Sequence, residues 1–320
     1  MSRVMNDMND GFVIGVDGGQ TSTKCVLAGL DGCVMAQGAG PGMVHLAAKN
    51  GAAVFREALQ TSLDEAWHFA GLSPRPPRAI VMGLTGVETD TPEATQATQI
   101  AQALTGAVVA RAVSDADTAL FGAHAGQSGI IAIAGTGAHI RGMNAQGKFT
   151  SAGGWGWLLG DEGSAMWLGR AGLIAALHAE DGVAPATILV DLYRDHFGLL
   201  QFRDAVKRMV YAPEFGAKDF ARLAMQVSVA AKAGDAVALG LVRQAGTDLA
   251  RQVRAVQTRL TLTAAVPIAP LGGAFDHVHG LHEAFVLALG DGNVVAAQHS
   301  PAVGAALMAA QLAGAQALLK

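Results

Sequence analysis

Residues 15–24 read GVDGGQTSTK and combine glycines, hydroxyl groups, a carboxylate and an ammonium group in one short segment. A tight glycine turn between two strands points consecutive backbone N–H groups at one spot, which suits the oxygens of a phosphate group. The candidate phosphate ligands of this segment, called the first turn, are Gly18, Gly19, Thr21, Ser22 and Lys24. The alternative interpretation is an ordinary hairpin turn, because Asp-Gly and Gly-Gly pairs are common there.

Asp17 lies beside these donors, and its carboxylate would repel a phosphate group unless a cation lay between them. We therefore predict that Asp17 holds a Mg²⁺ ion, directly or through water.

A second glycine turn follows an apolar run at residues 129–134 and contains a hydroxyl group. The residues of this second turn are Gly135, Thr136 and Gly137. Two such turns in the two halves of the chain indicate a nucleotide held across a cleft.

Asp115 is the candidate general base. It directly follows the strand predicted at residues 108–114. Open α/β sheets bind their ligands at the carboxyl ends of strands, and a carboxylate there can take a proton from a reacting hydroxyl group. The alternative is that Ser114 or Asp115 caps the helix that follows, and the two roles are not exclusive.

Residues 153–164, called the tryptophan loop, read GGWGWLLGDEGS. This run is too irregular for a strand and too rich in glycine for a helix, which favours a binding loop. We predict that Asp161 lies in the first turn of a helix, where it complements the helix dipole and can reach sugar hydroxyl groups. The alternative is a core tryptophan followed by a helix cap.

A third glycine turn lies near the carboxyl end of the chain, within the run LGGAF at residues 271–275. Its candidate nucleotide contacts are Gly272, Gly273 and Ala274. Glycines without a Cβ atom would allow the flat adenine ring to lie close to the backbone at this strand-to-helix turn. Taken alone, this pattern indicates a strand-to-helix connection and little more.

The elements that must position these residues form two similar series. Apolar runs at residues 12–16, 24–30 and 34–38 predict three strands, and a helix at 52–69, strands at 79–84 and 108–114, and a helix at 92–104 follow. The pattern restarts with strands at 129–134 and 139–144, and continues with four helices, a strand at 267–271, a strand at 294–297 and a helix at 302–319. We predict a first domain at residues 11–118, completed by that last helix, and a second at 119–300.

The composition excludes several classes of protein. The chain has 320 residues, 51% of them hydrophobic, and a net charge of −4, so it lacks the basic surface of a nucleic-acid binder. Apolar stretches are interrupted before the length that a bilayer requires, and residues 1–10 do not form a signal peptide. Neither Cys25 nor Cys33 lies in a metal-binding array, which favours a reducing, cytoplasmic location without membrane or nucleic-acid partners.

Together these motifs resemble the sugar kinase, hsp70 and actin superfamily, and within it the N-acetylglucosamine kinase-like group that includes the BadF/BadG/BcrA/BcrD ATPases. The tryptophan loop is the most specific of them, and the resemblance covers nearly the whole chain. It implies an α/β fold of two ribonuclease H-like, actin-like ATPase domains, each a mixed sheet flanked by helices, with a cleft between them. It leaves open whether the chain forms a homodimer.

The resemblance also implies an activity. It is that of an ATP-dependent hexosamine kinase, which transfers a phosphoryl group with Mg²⁺ to the 6-hydroxyl of N-acetylglucosamine or glucosamine. In such kinases the aspartate matching Asp115 takes the proton of that hydroxyl, and the aspartate matching Asp161 lies at the hexose pocket. The residues that we expect to contact the sugar are Asp115, Thr136, Gly154, Trp155 and Asp161.

Two alternatives and one departure accompany this prediction. A regulatory sugar or ATP-binding relative would lack the base, whereas Asp115 is present. An activator ATPase of the BadF type would need cysteines to hold an iron-sulfur cluster, and both cysteines of this chain lie in the amino-terminal hairpin. Met43 stands where amino-sugar kinases of this group carry an asparagine, which leaves the identity of the sugar open.

Overall fold

The computed structural model describes residues 11–198 and 202–314. The chain divides into two compact units: unit 1 comprises Met1–Gln127 and Ala297–Lys320, and unit 2 comprises Ser128–Ala296. The amino-terminal residues 1–10, and residues 315–319 of the predicted last helix, lie outside the described residues. The predicted division at residue 118 would cut the helix that follows Ser114, whereas the whole of that helix belongs to unit 1.

Each unit begins with three consecutive strands and continues with helices and further strands. The first part of unit 1 contains β1 (Phe12–Gly18), β2 (Ser22–Gly29), β3 (Val34–Pro41), α1 (Gly51–Ala70), β4 (Ala79–Leu84), α2 (Pro92–Thr105), β5 (Val109–Ser114) and α3 (Asp115–Ala123). Unit 2 contains β6 (Gly129–Ala134), β7 (Ala138–Met143), β8 (Phe149–Gly153), α4 (Ala165–Glu180), α5 (Leu189–Phe197), α6 (Phe202–Val210), α7 (Ala217–Lys232), α8 (Ala236–Leu260), β9 (Pro267–Leu271), α9 (Gly273–His277), α10 (Leu281–Leu289) and β10 (Asn293–Val294). The helix α11 (Pro301–Leu312) returns to unit 1.

Both units contain a mixed sheet of the same topology. Within the described part of the chain, five strands of unit 1 lie in the order β3-β2-β1-β4-β5, and five strands of unit 2 lie in the order β10-β9-β6-β7-β8. In each sheet the first three strands along the chain are antiparallel neighbours, and the fourth and fifth run parallel to the first. This repeat confirms the predicted α/β class with a mixed sheet in each half.

The core of unit 1 lies between its sheet and the helices that cover it. β4 is buried at every position, as expected for a parallel strand covered on both faces. Two glycines allow α11 to pack closely: a side chain at Gly15 of β1 would strike the backbone of Ala302 and Ala306, and one at Gly304 of α11 would strike that of Thr118 in α3. Small residues therefore allow α11 to lie directly against β1 and α3.

The core of unit 2 is built mainly by its long helices. Helix α8 is the longest of the described elements and buries an apolar stripe that includes Val242, Leu249 and Val256 against the sheet and neighbouring helices. Strand β8, which the sequence did not predict, is partly exposed at all five positions and has no apolar alternation. Among the described residues, no single helix combines the length and the apolar composition that crossing a membrane requires.

Candidate functional site

The first turn connects β1 and β2, as predicted. The backbone N–H of Gly19 donates to the carbonyl of Ser22 at 3.0 Å and closes the hairpin. Asp17 and Lys24 are direct cross-strand partners, so their side chains lie on the same face of the sheet. Thr21 and Lys24 are exposed, and Ser22 is partly exposed. A carboxylate, an ammonium group and two hydroxyl groups are thus presented at one end of β1 and β2.

The loop after β3 packs against the first turn. The backbone N–H of Met43 donates to the carbonyl of Gly19 at 3.0 Å, and the Met43 side chain, only 6% exposed, occupies the space next to Gly18. A side chain at Gly42 would strike the carbonyl of Gln20. Met43 therefore has a packing role in the core of unit 1, which the interpretation of this position as a missing sugar contact did not foresee.

Asp17 is a partly buried carboxylate with a second carboxylate near it. Burial, reinforced by the charge of Asp115, raises the pKa of Asp17 to about 6, although the charge of Lys24 acts in the opposite direction. A pair of acidic groups in a poorly solvated position fits a Mg²⁺ ion, which prefers carboxylate oxygens and takes few ligands from the protein. Across the described residues, no group of three or more His, Cys, Asp or Glu side chains could hold a metal ion.

Asp115 begins α3 at the carboxyl end of β5. Ser114 is the N-cap residue of this helix, but its side chain makes no capping hydrogen bond. The Asp115 carboxylate does not cap the helix either: its Oδ2 accepts a hydrogen bond of 2.7 Å from the hydroxyl group of Thr85. The side chain is therefore held by Thr85 at the carboxyl end of the sheet, where the sequence analysis placed it.

Thr85 is a site residue that the sequence analysis missed. It follows β4, whose last residue Leu84 pairs with Gly18 on one side and with Ser114 on the other. The rule that selected Asp115, a polar side chain at the carboxyl end of a strand in an open α/β sheet, also applies to Thr85. That rule could have found it.

The second turn connects β6 and β7 and is tied to α4. The backbone N–H of Gly135 donates to the carbonyl of Gly137 at 2.9 Å. The carbonyl groups of Gly135 and Thr136 accept from the first backbone N–H groups of α4, those of Ala165 at 2.9 Å and Met166 at 3.3 Å. Thr136 itself is exposed. The end of a helix therefore fixes the turn and leaves its hydroxyl residue accessible.

Asp161 contacts this second turn. Its Oδ1 accepts a hydrogen bond of 3.2 Å from the backbone N–H of Ala138, and its carboxylate fills the space where a side chain of Gly137 would lie. Asp161 is 8% exposed, and burial raises the pKa of its carboxyl group. The predicted position in the first turn of a helix is wrong. The helix starts at Ala165, and Asp161 lies in the preceding turn with a φ of 61°.

A positive φ at a non-glycine residue carries strain that persists only where the surroundings impose it. Such residues cluster at functional sites. In Asp161 that conformation coincides with a buried carboxylate beside a glycine turn. This combination supports the assignment of Asp161 to the site.

The two tryptophans of the tryptophan loop have different environments. Trp157 packs against Phe220 at 6.4 Å between ring centroids, and its carbonyl accepts a hydrogen bond from Arg170. Trp155, in contrast, is 74% exposed and follows Gly154, an exposed glycine with a φ of 73°. Trp157 is thus partly buried against its neighbours, whereas the ring of Trp155 is accessible.

The third glycine turn connects β9 and α9. Gly272 has a φ of 103°, and a side chain there would lie 2.5 Å from the carbonyl oxygen of Ala134, so this glycine is required by the fold. Ala274 is buried in the core of unit 2. Gly273 is exposed, with open space where its side chain would be apart from the ring of His277. Of the three predicted adenine contacts, Gly272 and Gly273 are exposed, whereas Ala274 is not.

Each unit thus brings its own predicted residues together. In unit 1 these are the first turn, Asp17 and Asp115, with Thr85 added by the structure. In unit 2 they are the second turn and Asp161. A family model described as the BadF/BadG/BcrA/BcrD ATPase family matches residues 14–309, which include all of these residues. The chain belongs to this family.

Relatives of known name support the membership. An N-acetylmuramic acid/N-acetylglucosamine kinase from Clostridium acetobutylicum is 29% identical over 277 residues, which cover 86% of this chain and 89% of that protein. A glucosamine kinase from Vibrio cholerae is 28% identical over 242 residues, 74% of this chain and 78% of that protein. The crystal structure of a candidate N-acetylglucosamine kinase from Chromobacterium violaceum is 32% identical, with a TM-score of 0.73, and the similarity covers 93% of this chain and 98% of that one.

Proposed function

We propose that this protein is an ATP-dependent kinase that phosphorylates the 6-hydroxyl group of an amino sugar, with Asp115 as the general base. The observation that carries the proposal is the position of the Asp115 carboxylate, at the end of a parallel strand beside a glycine turn that also presents Asp17 and Lys24. Phosphoryl transfer needs these parts: donors for the phosphates, carboxylates for a metal and a base for the acceptor.

The residues of this chain divide the work as follows. Backbone N–H groups of the first and second turns other than those of Gly19 and Gly135, with Thr21, Ser22 and Lys24, bind the phosphate oxygens of ATP, and Gly273 lies near the adenosine. Asp115 accepts the proton of the sugar hydroxyl as its oxygen attacks the γ-phosphorus. Asp161, Thr136, Gly154 and Trp155 bind the sugar, which excludes water from the reacting groups.

Asp17 would hold Mg²⁺, with Asp115 contributing to the negative charge that attracts it. When bound, Mg²⁺ neutralises the charge of the ATP phosphates. Asp17 is already poorly solvated, so its ionised form gains more from a cation than that of an exposed carboxylate would.

Replacement of the base tests this proposal. Asp115→Asn should lower kcat about 10²- to 10⁴-fold, because the amide cannot take the proton, while the dissociation constant of ATP changes little. Asp64→Asn, on the exposed face of α1, is the control and should keep the kcat of the wild type. An Asp115→Asn variant that retains more than a tenth of the wild-type kcat would show that another group acts as the base.

The amino sugar is proposed as the substrate because the relatives from Clostridium acetobutylicum and Vibrio cholerae are both named as kinases of amino sugars. Met43, the residue that departs from the family asparagine, is buried in unit 1 and fills the space next to Gly18. The test compares kcat/KM for N-acetylglucosamine, glucosamine and glucose with one preparation of the enzyme. We expect an amino sugar to have the highest value. A value for glucose equal to or above both amino sugars would contradict this choice and leave the kinase proposal in place.

A further inference from the structure

Thr85 lies at the edge of the unit 1 sheet, between the first turn and Asp115. At this edge the three neighbouring strands β1, β4 and β5 end in register, with Gly18, Leu84 and Ser114 as aligned partners. The residues that come directly after these three are Gly19 of the first turn, Thr85, and the proposed base Asp115. Thr85 is thus adjacent to both.

Two hydrogen bonds connect Thr85 to its neighbours. Its backbone N–H donates to the carbonyl of Gly18 at 3.0 Å, which fixes the residue against the first turn. Its hydroxyl group donates to Oδ2 of Asp115 at 2.7 Å, a short distance typical of a hydrogen bond to a carboxylate. A single residue therefore links the phosphate-binding turn to the base.

The surroundings leave Thr85 little freedom. The turn that follows it closes through the backbone N–H of Val87, which donates to the carbonyl of Leu84 at 3.2 Å. On the other side, the hydroxyl group of Thr118 donates to the backbone carbonyl of Asp115 at 3.0 Å, and Thr118 itself is fully buried against Gly83. The backbones of both partners are therefore fixed, and the Thr85 hydroxyl group determines the direction of the Asp115 carboxylate.

We propose that Thr85 is the positioning residue of the base: by occupying Oδ2, it directs Oδ1 of Asp115 to the acceptor hydroxyl group of the sugar. This inference rests on the proposed function. It predicts that loss of the Thr85 hydroxyl group slows the chemical step without weakening substrate binding, because the carboxylate remains present but is no longer held in the reactive direction.

The test uses two substitutions and a matched control. Thr85→Val removes the hydroxyl group at nearly constant volume and should lower kcat about 10- to 100-fold. The KM values for sugar and ATP should stay within about threefold of the wild type. Thr85→Ser restores the donor and should recover most of the wild-type kcat. Thr105→Val removes a partly buried hydroxyl group that donates to Ala101 in α2, and should leave kcat unchanged.

A double-mutant cycle shows whether Thr85 acts through Asp115. In an Asp115→Asn background, Thr85→Val should cause no further loss of kcat, because the base that it positions is already inactive. Equal losses in both backgrounds would overturn the proposal, and so would a Thr85→Ser variant as slow as Thr85→Val. A raised KM with unchanged kcat would make Thr85 a binding residue and would also overturn it.

A second cycle, in which Asp115→Ala takes the place of Asp115→Asn, separates this inference from the proposed function. Alanine offers no acceptor to the Thr85 hydroxyl group, so the melting temperatures, which require no substrate, should be non-additive if the Thr85 to Asp115 hydrogen bond forms in solution. If the wild type phosphorylates none of the sugars while the melting temperatures are coupled, the proposed function fails and the contact stands. If the wild type is an active kinase and the melting temperatures are additive, the positioning role fails alone.

Discussion

Replacing Asp17 with asparagine should stabilise the ligand-free protein at pH 8 while removing its kinase activity. The reason is the cost of ionising a carboxyl group that burial and the charge of Asp115 disfavour, which raises the pKa of Asp17 from 3.8 to about 6. Each pKa unit corresponds to about 1.4 kcal/mol, so the charged form costs the folded state up to about 3 kcal/mol. An asparagine of the same shape does not ionise and avoids this cost.

The pH dependence follows from the sign of this change. Because the pKa of Asp17 is higher in the folded than in the unfolded protein, its contribution favours folding below pH 4 and is lost as the pH rises through about 6. The stability gained by Asp17→Asn should therefore be under about 1 kcal/mol at pH 4 and should approach about 3 kcal/mol at pH 8. For a unit of this size, this corresponds to a rise of the melting temperature by up to about 10 °C at pH 8.

Thermal unfolding followed by circular dichroism at pH 4, 6 and 8, in EDTA and without nucleotide, measures this effect. Glu57→Gln, an exposed residue of α1, serves as the control and should change the melting temperature by the same small amount at each pH. The reasoning is refuted if Asp17→Asn has the same effect on the melting temperature at pH 4 and at pH 8, or if it destabilises the protein at pH 8. A coupled assay of ADP release checks the loss of activity.

Two further substitutions test unit 2. Trp155→Ala should raise the sugar KM about tenfold, the effect of losing about 1.4 kcal/mol of contact energy, and leave the melting temperature unchanged because the side chain is 74% exposed. Tyr211→Ala, an exposed aromatic residue of the same unit, is its control, and equal KM values for both variants would contradict the sugar contact. Gly163→Ala should cost about 1–3 kcal/mol of stability or more, because Gly163 has a φ of 88° and an added side chain would strike Leu249 and the carbonyl of Ala245. Gly182 also has a positive φ, but a side chain there would meet open space. If Gly182→Ala lowers the melting temperature less than Gly163→Ala, the difference measures the clash apart from the backbone strain.

The sequence was sufficient where a local pattern has one structural solution. Two apolar runs around a glycine turn predicted the hairpin of β1 and β2. The strand predicted at residues 108–114 likewise predicted the position of Asp115, directly after the end of β5. Both predictions use short-range information, because a strand and its turn are determined by neighbouring residues. The restart of the strand pattern at residue 129 predicted the second unit, and the mixed sheet in each unit was implied by the family resemblance.

The rest depends on contacts between residues far apart in the chain. Asp161 was predicted in a helix because acidic residues are common in the first turn, whereas its contact with Ala138, 23 residues away, belongs to a left-handed turn. Strand β8 contains the polar run FTSAG and exists because it pairs with β7, so its own residues give no strand signal. The sequence analysis treated Met43 only as a missing contact to the sugar, whereas in the structure its side chain fills the space next to Gly18.

The position of α11 affects how the protein is made. This helix is near the carboxyl end of the chain, yet it lies against β1, which is near the amino end, and Gly15 of β1 allows close backbone contact there. Unit 2 is one continuous segment and can complete its core while synthesis continues. Unit 1 cannot complete its core until α11 has been synthesised, and one face of its sheet stays exposed until then. We therefore expect unit 1 to fold more slowly than unit 2 and to be more prone to aggregation during synthesis. A chain that stops before Pro301 should leave unit 2 able to fold and unit 1 dependent on chaperones.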